Sequence, residues 1–515
     1  MDAGLILIFV AWIGVAAWVL FIIFNQKKYH PRALFILFFA EMWERFSYYG
    51  MRALLILYMT KELFSSMEQG KADVRAYGIY GAFTALLYAS PVIGGLLADR
   101  VVGFRYSILA GGTLMAIGQF TLAGTIGNQL FFYVGLGIIA FGNGFFKPNI
   151  SSFLGTFYEQ NDQRKDSAYT LFYMGINVGA FLAPITCGYL GQQVGWAYGF
   201  LAAGIGIVLG LIVFWFNMRK YKDKGLPPDP SRLNSSVFPG IKTVWVMIAG
   251  AVVMSFVFAI LMDAEKVTSV LLTVVGIICL GYLVVSALRM EDKVAGKKLI
   301  VFVFLFFFHM VFWTLYEQAG GSLNILTDRY VNKHGLVASQ FQAVSALFVV
   351  LLAPVFAAIW IRLRKAKLEP YTVYKFFWGL ILLSVGYMVI VFGIRSVAGT
   401  EKLVPVIFLI LMYFFHVTGE LSISPVGLSV VTKLSPAKTV GFVMGSWFLS
   451  IALAQKVAGF LGQLIAAPQN ETGRTAELLS FSHIYLVWGV YVVLGAAFIL
   501  LIVSPILRKW MHGIH

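Results

Sequence analysis

What most limits this chain is the recurrence, from its first residues to its last, of apolar runs about twenty residues long. As helix, such a run crosses a hydrocarbon core of about 30 Å. Fifteen can be drawn: 4–24, 32–59, 74–98, 106–126, 129–155, 169–190, 196–217, 241–262, 267–288, 299–326, 339–361, 372–394, 403–430, 440–462 and 481–507. None alternates with the two-residue period of a membrane barrel strand. Only 12% of the 515 residues are charged, about half the share of a soluble domain. The expectation is an all-α polytopic membrane protein.

A formal charge of +16 invites a nucleic-acid reading, but its placement excludes one. When the loops are numbered alternately, one side holds 26 of the 39 Lys and Arg, the other 9, and 4 fall inside spans. The rich side includes Lys27, Lys28, Arg164, Lys165, Lys433, Lys438, Arg508 and Lys509, and the positive-inside rule makes it cytoplasmic. The excess charge is topology and attraction to anionic lipid. The first run carries Asp2, no preceding lysine and no small-residue cleavage pattern. It reads as a retained helix with its N-terminus outside, not a signal peptide. Cys187 and Cys279 both lie in apolar runs and read as small buried hydrophobes, with no disulfide or metal site.

The spans group as one, six, two and six. An extra N-terminal helix occupies 1–28, and a six-helix bundle 29–218. A polar cytoplasmic linker with four prolines follows at 219–240, then two accessory helices at 241–298 that suit lipid contact. A second six-helix bundle covers 299–515. Paired bundles with a site between them are a common transporter plan.

Eight charges lie deep inside spans: Glu41, Glu44, Arg45, Arg52, Lys147, Glu317, Glu420 and Lys456. Each would cost about 2.5–3.5 kcal/mol if isolated in lipid. In EMWERFSYYG and the turn after it, Glu41, Glu44, Arg45, Tyr48, Tyr49 and Arg52 share a helical stripe of roughly 140°. An ion pair of Glu41 with Arg45 at i, i+4 accounts for two of these, not for Arg52 and two tyrosines. Lys147, Glu317 and Glu420 have no local partner, so theirs come from other helices. His309, Trp313 and Glu317 step by fours, and His416 precedes Glu420 by one turn. A proton relay competes there with satisfied interior histidines; for Lys456, a cavity wall competes with snorkelling. Fixed cations, fixed anions and phenols on one cavity suit a zwitterion with variable apolar parts.

The stretch EMWERFSYYGMRALLILY resembles the first-helix signature of the proton-dependent oligopeptide transporters, a family of the major facilitator superfamily. Its Glu-x-x-Glu-Arg motif falls on Glu41, Glu44 and Arg45. GGLLADRVVGFR, FGNGFFKPNIS, YTLFYMGINVGAFLAP, FWTLYEQ and GELSISPVGLSVVTKLSP extend the resemblance, in order, over roughly residues 30 to 510. It implies a major facilitator fold and, from the accessory helices, the bacterial branch and a bacterial inner membrane. It implies a proton:di/tripeptide symporter acting as a monomer by alternating access, with membrane lipid as surroundings. The proton is the coupling ion, and no cofactor, metal or catalytic residue is implied.

By the same resemblance, Glu41, Glu44 and Arg45 couple protons, with Glu317 and Glu420. Lys147 pairs with Glu420 and Arg52 with Glu317 as gate bridges. Arg45, Arg52 and Lys147 meet the peptide carboxylate, and Glu420 and Asn177 its amino end. Tyr48, Tyr49, Tyr88, Trp313 and Trp447 line side-chain pockets, and Asp99 and Arg100 form a cytoplasmic latch. Two departures stand out. Ser345 and Ala346 replace an Asn-Pro pair common in relatives, and residues 74–98 lack the histidine that animal members carry. A carrier of nitrate or another small anion is the alternative, although an anion site has no use for the extra acids. An intramembrane protease is disfavoured: neither Gly-x-Gly-Asp nor His-Glu-x-x-His occurs.

Overall fold

A computed structural model describes residues 2–512, apart from 160, 161, 163, 239–240, 437–439 and 467–472. Lys438, counted above as cytoplasmic, lies outside the described residues, as do the last two positions of the expected linker. In chain order the helices are α1 (Ala3–Gln26), α2 (Arg32–Tyr58), α3 (Gln69–Ala89), α4 (Pro91–Leu97), α5 (Gly103–Gly124), α6 (Gln129–Gly155), α7 (Arg164–Tyr189) and α8 (Trp196–Phe216). Then come α9 (Pro230–Asn234), α10 (Thr243–Asp263), α11 (Glu265–Arg289), α12 (Lys293–Tyr316), α13 (Ser322–Tyr330) and α14 (Ala343–Lys365). The last five are α15 (Thr372–Arg395), α16 (Val406–Leu434), α17 (Val440–Ala466), α18 (Arg474–Ile484) and α19 (Val493–Met511).

Among the described residues, thirteen segments are long and apolar enough to cross a membrane. Two readings account for the difference from the fifteen expected spans. Residues 69–124 count as one continuous segment, and α2 drops out because Glu41, Glu44, Arg45 and Arg52 interrupt its apolarity.

By contact the chain divides into two units. The first comprises Met1–Ser66, Leu86–Ala264 and His334–Ala346; the second comprises Met67–Ala85, Glu265–Lys333 and Leu347–His515. The two accessory helices thus part company, α10 joining the first unit and α11 the second.

In the first unit α2 is buried along nearly its whole length and packs on α7 and α8. Glycine permits that closeness. A Cβ on Gly50 would stand 2.6 Å from Cys187 Sγ, and one on Gly179 would stand 2.2 Å from the Met42 carbonyl oxygen. Cys187 is therefore a wall of the α2–α7 crossing. The N-terminal helix α1 lies on the same pair. Trp12 Nε1 donates to Thr186 Oγ1 at 2.9 Å, and its ring meets Trp43 and Phe46 at 5.8 and 6.0 Å. The other side of α1, with Phe9, Val10, Ile13, Leu20, Phe21 and Phe24, is exposed and apolar, as a lipid-facing surface should be.

The expected linker is folded in its first half. Tyr221 is buried among Phe153, Phe157 and Phe214. Arg105 Nε donates to the Lys224 carbonyl at 2.6 Å, and Arg105 N to that of Gly225 at 3.0 Å. Beyond it, α9 is capped by the Asp229 carboxylate. A small antiparallel pair, β1 (Ser236–Phe238) and β2 (Ile241–Lys242), leads into α10.

In the second unit α11 packs on α12 and α17, and α15 on α16 and α19. Cys279 Sγ lies 3.0 Å from Ser446 Oγ, across the α11–α17 contact. Asp292 caps α12 by accepting from the backbone N–H groups of Val294 and Ala295. That helix stops at Tyr316, where a tight 3-10 turn, Glu317–Gly320, and Gly321 precede α13.

Candidate functional site

Each unit carries its own constellation. In the first, the stripe on α2 is built as the wheel predicts. Arg45 Nε lies 3.0 Å from Glu41 Oε1 and 2.5 Å from Glu44 Oε2. The three side chains are 3%, 0% and 3% exposed for Glu41, Glu44 and Arg45. Two carboxylates therefore share one guanidinium out of contact with water. Asn143 of α6 donates to Glu44 Oε1 at 3.3 Å. Lys147, one turn further along α6, acts electrostatically on both acids. Glu41 Oε2 is buried with no hydrogen-bond partner among the described residues.

Aromatic rings carry the stripe on. Tyr48 and Tyr49 meet edge to face at 5.0 Å, the Arg45 guanidinium stands 5.8 Å from the Tyr48 ring, and Arg52 stands 5.9 Å from Tyr49. The Lys147 ammonium lies 4.2 Å from the centre of the Tyr88 ring, a cation–π contact. Tyr49, Tyr88 and Lys147 are half-buried, whereas the acid pair is closed off. Asn177 of α7 is buried and donates to the Tyr173 carbonyl of its own helix at 3.0 Å. Ser345 is half-buried at the start of α14, its hydroxyl donating to the Gln342 carbonyl at 3.0 Å.

In the second unit α12 is central. Trp313 Nε1 donates to His309 Nε2 at 2.7 Å, and His309 Nδ1 lies 2.7 Å from Ser450 Oγ. An indole N–H only donates, so Nε2 accepts and the imidazole is neutral with its proton on Nδ1. Ser450 in turn donates to the Trp447 carbonyl at 2.7 Å. Of the two readings of His309, the geometry matches the satisfied interior histidine and not a proton relay through Trp313 and Glu317: the histidine closes a hydrogen-bond chain toward α17 and has no open nitrogen. Trp447 is buried, packed against the His309 ring at 3.9 Å with the planes tilted by 30°, and bordered by Phe302 and Phe376. Trp313 stays half-buried.

Glu317 is buried in the turn that ends α12. The next residue fixes that break. Gln318 Nε2 donates to the Ala458 carbonyl at 3.1 Å, and Gln318 Oε1 accepts from Ser322 at 2.6 Å. Glu420 on α16 is buried and accepts from the Tyr316 hydroxyl. His416 packs against the Tyr387 ring at 4.9 Å. Lys456 is half-buried and feels the Glu265 carboxylate at the head of α11. The expected gate pairs, Lys147 with Glu420 and Arg52 with Glu317, join residues of different units.

Three groups escaped the sequence reading. Asn143 lies four residues before Lys147, so the helical spacing of GNGFFKPNIS could have found it. Tyr316 sits beside Glu317 in FWTLYEQ, and its partner, Glu420, lies on another helix. Arg329 of α13 forms a two-pronged pair with Asp73 of α3, at 2.6 and 2.8 Å, and a 2.6 Å contact with Glu477 of α18. Arg329 lies 256 positions from Asp73 and 148 from Glu477, and no local pattern announces them. Among the described residues no three His, Cys, Asp or Glu side chains gather as metal ligands.

The POT family profile matches residues 105–478. The uncharacterized transporter YclF of Bacillus subtilis is 37% identical, the match covering 94% of this chain and 96% of that protein. Dipeptide and tripeptide permease A of Klebsiella pneumoniae is 33% identical, with 93% of each chain covered. Among solved structures, a peptide transporter POT in complex with sulfate superposes with a TM-score of 0.79 at 35% identity, over 94% of this chain and 96% of that one. The expected major facilitator fold is that of these neighbours. The chain belongs to the POT family, a family of transporters and not of enzymes.

Proposed function

We propose that this protein imports di- and tripeptides across a bacterial inner membrane as a proton-coupled symporter working by alternating access. The observation that carries the reading is the closed group of Glu41, Glu44 and Arg45, with Lys147 acting on both acids. With Lys147 near, two cations balance two anions. When the ammonium turns to a substrate carboxylate, the acids keep one cation, and a proton on Glu41 Oε2 restores the balance. Binding of peptide and proton are then linked through one charge count.

Arg45, Arg52 and Lys147 meet the peptide carboxylate; Glu420 and Asn177 meet the amino end. Tyr48, Tyr49, Tyr88, Trp313 and Trp447 accept varied side chains, and Ser345 stands where relatives carry an amide. Names among the relatives, dipeptide and tripeptide permease and peptide transporter, support this substrate class. The monomer is the working unit, its N-terminus outside and its C-terminus in the cytoplasm.

The test is uptake of labelled dialanine into proteoliposomes under an inward proton gradient. Intact peptide should accumulate. Failure of every di- and tripeptide to accumulate under the gradient overturns the reading, and gradient-driven nitrate uptake in its place would reassign the substrate.

A further inference from the structure

Glu420 is not alone in its unit. Tyr316, the last residue of α12, donates its phenolic proton to Glu420 Oε2 across the contact between α12 and α16. The ring is held on two sides. Phe312, one turn back, stacks on it at 5.6 Å and 22°, and Trp313 meets it edge-on at 5.0 Å. Trp313 is itself pinned by the hydrogen bond to His309, and His309 by Ser450. The chain from α17 to α16 is therefore stiff, and it ends on one carboxylate oxygen.

A carboxylate that accepts from a fixed donor loses rotamer freedom and keeps its charge on a set bearing. With Oε2 occupied by the phenol, Oε1 is left to meet a cation. We propose that Tyr316 is a positioning residue that holds Glu420 ready for the substrate's terminal ammonium, and so makes the carrier select peptides with a free amino end. This rests on the reading of Glu420 as the amino-end partner.

The experiment compares two competitors of labelled dipeptide uptake: dialanine, and N-propionylalanine, which is dialanine lacking its amine. Wild-type protein should prefer dialanine. Tyr316→Phe keeps the ring and its packing but removes the donor. It should weaken competition by dialanine ~10-fold, the loss of one hydrogen bond to a charged group. Competition by N-propionylalanine should change less than twofold, so the preference ratio collapses. General damage to the protein would lower both together. Glu420→Gln should also collapse the ratio, and adding Tyr316→Phe to it should change the ratio little further, because the two act as one unit. A Tyr316→Phe protein that keeps the wild-type preference ratio overturns the proposal, as does strict additivity of the two changes. Wild-type protein that takes up no peptide sinks the proposed function instead, so the two failures are separable.

Discussion

At the scale of single residues, the acid pair and the histidine make opposite demands. Glu44 shares a guanidinium with Glu41 and accepts from Asn143. Glu44→Gln should abolish gradient-driven dipeptide accumulation while sparing exchange of labelled for unlabelled peptide; surviving uphill uptake would remove the motif from coupling. His309 has both nitrogens engaged. Ser450→Ala leaves its Nδ1–H buried without an acceptor. The folded protein should lose about 1–3 kcal/mol, read as a lower melting midpoint in detergent. An unchanged midpoint would refute the neutral, pinned tautomer. Glu41, Arg45 and Arg52 could be found in sequence because one helix holds them all and its period is known. Asn143, Tyr316 and Ser450 earn their roles from partners on other helices, which no local spacing reports.

At the scale of elements, close crossings and folded connections decide. The α2–α7 crossing needs Gly50 against Cys187. Gly50→Ala should destabilise the protein by about 1–3 kcal/mol through overpacking, and Cys187→Ala in the same chain should recover part of it. Full stability of the single variant would show that the crossing has slack. Arg105 holds Lys224 and Gly225 by their carbonyls. Arg105→Ala should let trypsin cut near Lys222 and Lys224 faster than in the wild type, at unchanged cutting elsewhere. Composition marked 219–240 as a linker, and the prolines justify that for its second half. Tyr221 overrode composition in the first half: a large ring followed by polar residues still buries itself when three phenylalanines wait at the ends of α6 and α8.

At the scale of the whole molecule, the charge bias between loops and the odd number of expected spans are one statement about topology. A fluorescent protein fused after His515 should fold and glow in the cytoplasm, while a tag before Met1 should be reachable by protease from outside intact spheroplasts. Both tags on one side would break the topology. The sequence by itself determined membrane residence, the spans, the charged stripe on α2 and the family, because hydropathy, helical period and motif order are local properties. Only the tertiary structure decided which acid meets which base, that α1 rides on α2 and α7, that α10 and α11 join different units, and that His309 is sealed. Those are contacts between residues far apart in the chain, and the distance between two helices is set by packing, which no stretch of sequence carries alone.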